Sequence, residues 1–237
     1  PKRWKALSMA ENIGPGETNY KMYDRQVAQE AIEWLNVHGN QEQPWVLFVS
    51  KVAPHFPLIA PEEFYGLYDH LDLMPKKPRE NPEHPWHQAM RSCQIMDNFT
   101  PEKTRVALAS YYGLVTFIDD LIGKILETID QNNFNKNTQI FYLSDHGDNI
   151  GERDFWGKSN FFEESVGIPC IIKGPNVPVG KVCKTPVSLI DIYPTILKNA
   201  GIEIQSKPGA SLNDIANAND DLERLIFSEY HAMGATT

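Results

Sequence analysis

The 237-residue sequence is short of cysteine, of basic charge and of long apolar runs. Its three cysteines, Cys93, Cys170 and Cys183, are an odd number at no metal-like spacing, so neither a disulfide framework nor a zinc site is expected. Cys170 lies in the apolar run Ile168-Pro169-Cys170-Ile171-Ile172 and is expected to be a buried small hydrophobe. Lys and Arg number 22 against 31 Asp and Glu, a net charge of −9. That balance lacks the basic footprint of a nucleic-acid binder. An anionic substrate would need a local positive site against the global field. No uninterrupted run of about eighteen apolar residues is present, so no transmembrane segment is expected. The chain starts Pro1-Lys2-Arg3-Trp4 with no initiator Met. The absence of a signal peptide is therefore uninformative, and periplasmic, secreted and cytoplasmic locations all stay open.

What is present is enough apolar residue, 41%, to fill a core, arranged in α/β alternation with no internal repeat. Met22, Val27, Ala28, Ala31, Ile32 and Leu35 follow a helical period over 22–37, and Gly39-Asn40 suits the exit. Trp45-Val46-Leu47-Phe48-Val49-Ser50 reads as a strand covered on both faces, and Ala53-Pro54-His55-Phe56-Pro57 as a rigid extended turn. A short helix fits 61–71, with Pro61 in its first turn. Residues 72–99 are proline-rich and aperiodic, the signature of a lid or a mobile loop. Thr100-Pro101-Glu102 is a helix start, and the helix runs to about Ile129. Strands are expected at 139–144, 167–173 and 226–228, and a helix from Ser188 to Ala200 ended by Gly201. The order implies a mostly parallel sheet with helices on both faces.

The most informative residues follow the run Ile140-Phe141-Tyr142-Leu143. Asp145 and His146 stand at the C-terminal end of an expected strand, where open α/β sheets put their ligands. A hard carboxylate beside an imidazole suits Ca²⁺, Mg²⁺, Mn²⁺ or Zn²⁺. Lys158, thirteen residues after Asp145 and flanked by Gly157 and Trp156, can fold back as a fixed cation for an oxyanion. His55, held between prolines after a strand, is placed to act as a general acid near neutral pH. Each residue alone has a plainer reading: a capping Asp, a surface His, a solvated Lys, a structural His. Their combination favours an active site for an anionic group beside a cation.

These segments resemble a known family. Ser144-Asp145-His146-Gly147-Asp148, Gly151-Glu152-Arg153, Trp156-Gly157-Lys158, Phe161-Phe162-Glu163-Glu164-Ser165 and Ile168-Pro169 look like the C-terminal metal and lysine motifs of type I sulfatases of the alkaline-phosphatase superfamily. Ala53-Pro54-His55-Phe56-Pro57 looks like their substrate-side histidine motif, and Ser188-Leu189-Ile190-Asp191-Ile192-Tyr193-Pro194-Thr195 like the helix that follows. The Asp148–Lys158 variant is most similar to choline-sulfatase-like and phosphonate-monoester-hydrolase-like members. The resemblance implies an alkaline-phosphatase-like α/β fold and hydrolysis of small-molecule sulfate esters. It implies a divalent metal, Ca²⁺ before Mg²⁺ or Mn²⁺, with Asp145 and His146 as two of its ligands. Lys158 would bind the transferring group and His55 would stand near the leaving group.

The departures set further expectations. None of the three cysteines is followed by the x-Pro-x-Arg or x-Ala-x-Arg context from which the family makes its formylglycine nucleophile. No early strand ends in Asp-Asp, the family's other metal carboxylates. The sequence thus reads as the C-terminal portion of a longer enzyme, inactive alone, with an incomplete sheet whose open edge invites self-association. Residues 1–215 would be the C-terminal part of the catalytic domain, with 72–99 as a lid or irregular loop, and 216–237 the start of a small subdomain. Tyr111, Trp156 and the 72–99 loop are candidate contacts for the organic part of the substrate. The rival readings are a phosphonate monoester or phosphodiester hydrolase and a non-catalytic anion-binding relative.

Overall fold

The computed structural model of the chain describes residues 8–94, 97–202 and 208–229. Two short strands, β1 (Ile13–Pro15) and β2 (Leu58–Ala60), pair in parallel with Gly14 opposite Ile59. Between them in sequence runs helix α1 (Asn19–His38), capped by the Thr18 side chain. Its inner stripe is Lys21, Asp24, Ala28, Ala31 and Leu35. That is the 3–4 spacing of one helix face, but two of the five are charged. Met22, expected inside, is 62% exposed instead. The charged residues take the stripe because they satisfy backbone groups of neighbouring segments. The Lys21 ammonium donates to the carbonyls of Gly16 and Ile59, and Asp24 accepts from Val52 and Ala53.

Helix α2 (Glu62–Tyr65) follows β2 directly, and α3 (Pro85–Cys93) lies inside the stretch expected to be irregular. The long helix α4 (Pro101–Gln131) starts at the Thr100 cap, as its sequence signals. Its buried face, including Ala107, Leu114, Phe117, Ile118 and Leu121, joins Ala28, Leu58, Ala60 and Trp156 in the main core. Two contacts set its depth. The Ser110 hydroxyl accepts from the Gly14 N–H at 2.9 Å, and a Cβ on Gly113 would come within 3.0–3.1 Å of Ala60 and Phe64. The expectation of no membrane-spanning segment meets one candidate among the described residues. By length and composition alone, α4 is long and apolar enough to cross a membrane. Half of its most apolar stretch is buried within the chain itself.

A second pair, β3 (Ile140–Leu143) and β4 (Cys170–Lys173), is antiparallel, with Leu143 opposite Cys170. Helix α5 (Glu163–Val166) precedes β4. A single 3₁₀ turn, Leu189–Asp191, leads into α6 (Ile192–Asn199), and α7 (Leu212–Asn217) packs against α6. The architecture is α/β, with the described strands forming one parallel and one antiparallel pair. Trp45–Ser50 and 226–228 join no ladder among the described residues. In the first, Trp45 and Leu47 pack toward Leu35, Ile129 and Phe134 while Val46 and Phe48 face outward. Cys170 is exposed, against expectation, because β4 pairs with β3 alone and its outer residues meet no covering layer.

Candidate active site

β3 ends at Leu143, and the chain turns at once into Asp145 and His146. The Asp145 carboxylate is open, its side chain 81% exposed, with Oδ2 3.4 Å from His146 Nε2 and Oδ1 accepting the His146 backbone N–H at 3.0 Å. His146 Nδ1 donates to the Gly147 carbonyl at 2.7 Å. That bond fixes the tautomer and leaves the Nε2 lone pair facing outward. The Lys158 ammonium donates to that lone pair. His55 is exposed on the turn after the Trp45–Ser50 segment, and its ring centroid is 6.2 Å from that of His146. Its Nδ1 donates to the Phe56 carbonyl at 2.7 Å, so Nε2 is the ring nitrogen left for another partner. The structure thus brings together all four residues singled out in the sequence.

The loop that returns Lys158 to His146 is built on local hydrogen bonds. Asp148 Oδ1 accepts from the Ile150 and Gly157 N–H groups at 2.8 and 3.0 Å. The fully buried Asn149 donates to the Gly157 carbonyl from both its backbone and its side chain. Asn160 donates to Asn149 Oδ1 and accepts from the Phe162 N–H. Gly147 must be glycine, because a Cβ there would run into the Glu164 carbonyl, while its N–H donates to Ser165 O at 2.8 Å. Ile150 and Ser159 carry φ of +41° and +92°. Such backbone persists only where its surroundings over-determine it.

Burial pushes the Asp148 carboxyl up from the usual carboxylate range, partly offset by its two backbone donors and by the His146 and His55 rings. Tyr111 on α4 is pushed up to about 12, first by burial and then by the Asp148 charge, so its phenol is a neutral donor beside this loop. The 76–91 segment is fastened across the same loop. Glu152 accepts from the Lys76 and Lys77 backbone N–H groups, and Glu164 binds both Lys77 and Arg153. Arg91 lies 3.8 Å over the Phe155 ring and donates to the Arg153 and Asp154 carbonyls.

Sequence reading assigns no role to Asp24, Asn149 or Asn160. Asp24 left one signal, a carboxylate on the apolar stripe of an amphipathic helix. Asn149 and Asn160 left none, since their partners are backbone groups or each other. As metal donors, Asp145 and His146 are chemically apt: a hard carboxylate, and an imidazole held with Nε2 outward by its own Nδ1 bond. No group of three or more His, Cys, Asp or Glu that could hold a metal occurs among the described residues. Two residues fall well short of the about six to eight oxygen ligands that a Ca²⁺ ion takes.

Comparison with known proteins bears on the family and the fold of the chain. The choline-sulfatase of Rhizobium meliloti (strain 1021) is 32% identical over 91% of this chain and 44% of its own length. Arylsulfatase K of Danio rerio is 29% identical over 99% of this chain and 49% of its own. Among solved structures, a putative sulfatase from Bacteroides fragilis superposes with a TM-score of 0.66 at 26% identity, covering 83% of this chain and 42% of that one. The phosphonate monoester hydrolase of Agrobacterium radiobacter superposes with a TM-score of 0.75 at 24% identity, covering 90% and 46%. The fold is that of the alkaline-phosphatase-like sulfatases. The chain spans less than half the length of the curated relatives it matches. The family model for sulfatases matches residues 4–202, most of the 237, and the chain belongs to the sulfatase family.

Proposed function

We propose that this chain is part of a metal-dependent hydrolase of sulfate monoesters. Asp145 and His146 contribute two ligands to a divalent metal, Ca²⁺ by preference over Mg²⁺ or Mn²⁺. Lys158 holds the oxygens of the transferring sulfuryl group, and His55 protonates the leaving oxygen. The nucleophile, a formylglycine, and the remaining metal carboxylates belong to a segment outside these residues. When bound, the metal would supply a positive charge that polarises the sulfuryl oxygens.

The observation that carries this reading is the approach of Lys158 to His146 Nε2, with the His55 ring 6.2 Å from the His146 ring. A sulfate ester needs positive charge on its non-bridging oxygens and a proton for its leaving oxygen. Lys158 is an exposed cation on a rigid loop, so it is organised before the anion arrives and is most effective there. His55 Nδ1 is engaged with Phe56 O, so Nε2 is the atom that carries the exchangeable proton.

Kinetics of an enzyme that holds these residues together with a nucleophile segment test the roles. Lys158→Ala should lower kcat by about 10²–10³. His55→Ala should cost most on aryl sulfates with basic leaving oxygens and least on activated ones. Equal losses across all leaving groups would remove the acid role of His55. Faster turnover of a phosphonate monoester than of any sulfate ester would replace the sulfatase reading. The 237-residue chain by itself, given Ca²⁺ or Mn²⁺, should turn over no aryl sulfate.

A further inference from the structure

Two charged residues occupy the inner stripe of α1, where a helix normally packs apolar side chains onto its core. Both grip the same stretch of chain. Asp24 is 0% exposed, and its Oδ1 accepts the Val52 N–H at 2.7 Å while its Oδ2 accepts the Ala53 N–H at 2.9 Å. Lys21, also buried, donates to the carbonyls of Gly16 and Ile59. The stretch 52–59 is thereby tied to α1 at both ends, and His55 lies between the ties. Two adjacent backbone donors need two acceptors at a fixed separation, which a carboxylate supplies. Burying that charge opposes folding unless it is answered, and the two N–H groups answer it.

What Asp24 holds is the turn that carries His55. The carbonyl of Val52, the residue whose N–H it accepts, in turn accepts the His55 N–H at 2.9 Å. The contacts therefore run from Asp24 through Val52 to the His55 backbone. On the other side, His55 Nδ1 bonds Phe56 O at 2.7 Å, which fixes the ring relative to its own backbone. Placing that backbone thus sets where Nε2 points, with the ring 6.2 Å from the His146 ring. Ala53 and Phe56 also pack on the main core, so the turn keeps its general course without Asp24. The carboxylate adds direction, because hydrogen bonds are directional and apolar contact is not.

We propose that Asp24 is a positioning residue for His55, holding the imidazole at the angle from which it hands its proton to the leaving oxygen, a role that rests on the acid function of His55. A general acid works only within hydrogen-bond reach of the oxygen it protonates. Misplacement by about 1 Å costs up to about 10²-fold in rate. Asp24 is itself sealed beneath the turn and acts only through it.

Kinetics of an enzyme that joins these residues to a nucleophile segment test this, with phenyl sulfate against nitrophenyl sulfate, whose leaving oxygen is less basic. Asp24→Asn keeps one acceptor and the side-chain size. It should lower kcat about tenfold on phenyl sulfate and less than about twofold on nitrophenyl sulfate. Added to His55→Ala, it should cost no more than about a further twofold on either ester, because the group it positions is gone. Leu35→Ala weakens α1 away from the turn and should leave the ratio of the two rates unchanged. Nitrogen NMR of the imidazoles in the 237-residue chain reads the same contact without turnover. Asp24→Asn should move the His55 nitrogens toward the average of mixed tautomers and leave those of His146 in place. Equal losses on both esters, multiplying losses in the double variant, a rate ratio changed as much by Leu35→Ala, or unmoved His55 nitrogens would overturn the inference. If His55→Ala itself costs the same on both esters, the acid role falls and the positioning role with it. A leaving-group-dependent His55→Ala beside an indifferent Asp24→Asn removes the positioning role alone.

Discussion

The two halves of this chain bury apolar and polar residues in different proportions. Around β1, β2, α1 and α4 the buried set is mostly apolar, with Ala28, Leu58, Ala60, Leu114, Phe117 and Leu121 beside the polar Lys21, Asp24 and Ser110. Around β4, α6 and α7 it is largely polar: Thr185, Asp191, Thr195 and Ser211, with Leu212. The same region exposes Ile171, Tyr193 and Phe227, at 60%, 56% and 83%. Apolar packing therefore holds the first half, and hydrogen bonds to buried polar side chains hold the second. Asp191 shows how. It accepts from the Ser188 and Ala210 backbones and from both Arg224 nitrogens, and the Thr195 hydroxyl donates to its carbonyl while accepting from Leu212. Burial identifies what a segment relies on; hydrophobicity read along the sequence does not.

The largest test of that contrast is a cavity in the apolar half. Phe117 is 1% exposed and sits in the main core, so Phe117→Ala should destabilise the chain by about 3–5 kcal/mol in urea unfolding. A cost near zero would mean that α4 does not depend on this packing.

Asp191→Ala should cost about 3 kcal/mol, because it leaves a partly buried guanidinium and two backbone donors without an acceptor. This region should also be acid-sensitive. Burial opposes the Asp191 charge, but Arg224 and the two backbone donors outweigh it and hold the carboxyl below the usual range. A depressed folded-state pKa contributes stability that is present above the unfolded value and lost as pH falls through the folded one. Asp191→Asn should flatten that acid limb of the stability curve, and an unchanged limb would assign it to other carboxylates.

The smallest effect on stability concerns the exposed apolar residues. Phe48→Lys with Ile171→Lys should change stability by no more than about 0.5 kcal/mol per site, since both are already in solvent. The same pair should reduce self-association in sedimentation velocity, because an uncovered apolar strand face invites contact between chains. A wild-type chain that stays monomeric at high concentration would show those faces to be inert.

Much of the local structure is legible in the sequence. The Thr100 cap and Pro101 set the start of α4, Gly39 ends α1, and the run before Asp145 is β3. Asp145, His146, Lys158 and His55 are recognisable because their types and their positions beside strand ends and glycines carry chemical meaning. The strand expected at Trp45–Ser50 fails for an identifiable reason: composition reports that a segment can pair, and pairing needs a partner strand. The helix in 72–99 escapes notice because prolines obscure its period, although the His84 cap and Pro85 at its first position mark its start.

The sequence by itself determined the elements with strong caps and periods, the acidic balance, and the identity of the Asp-His and lysine motifs. Those are properties of neighbouring residues, and local physics acts on neighbours. Only the tertiary structure decided that Asp24 reaches the turn before His55, that Asn149 and Asn160 close the lysine loop, and that Cys170 is exposed. Each depends on which distant backbone group or covering layer meets the side chain, and that partner is set by packing between elements, not by the residue's own segment.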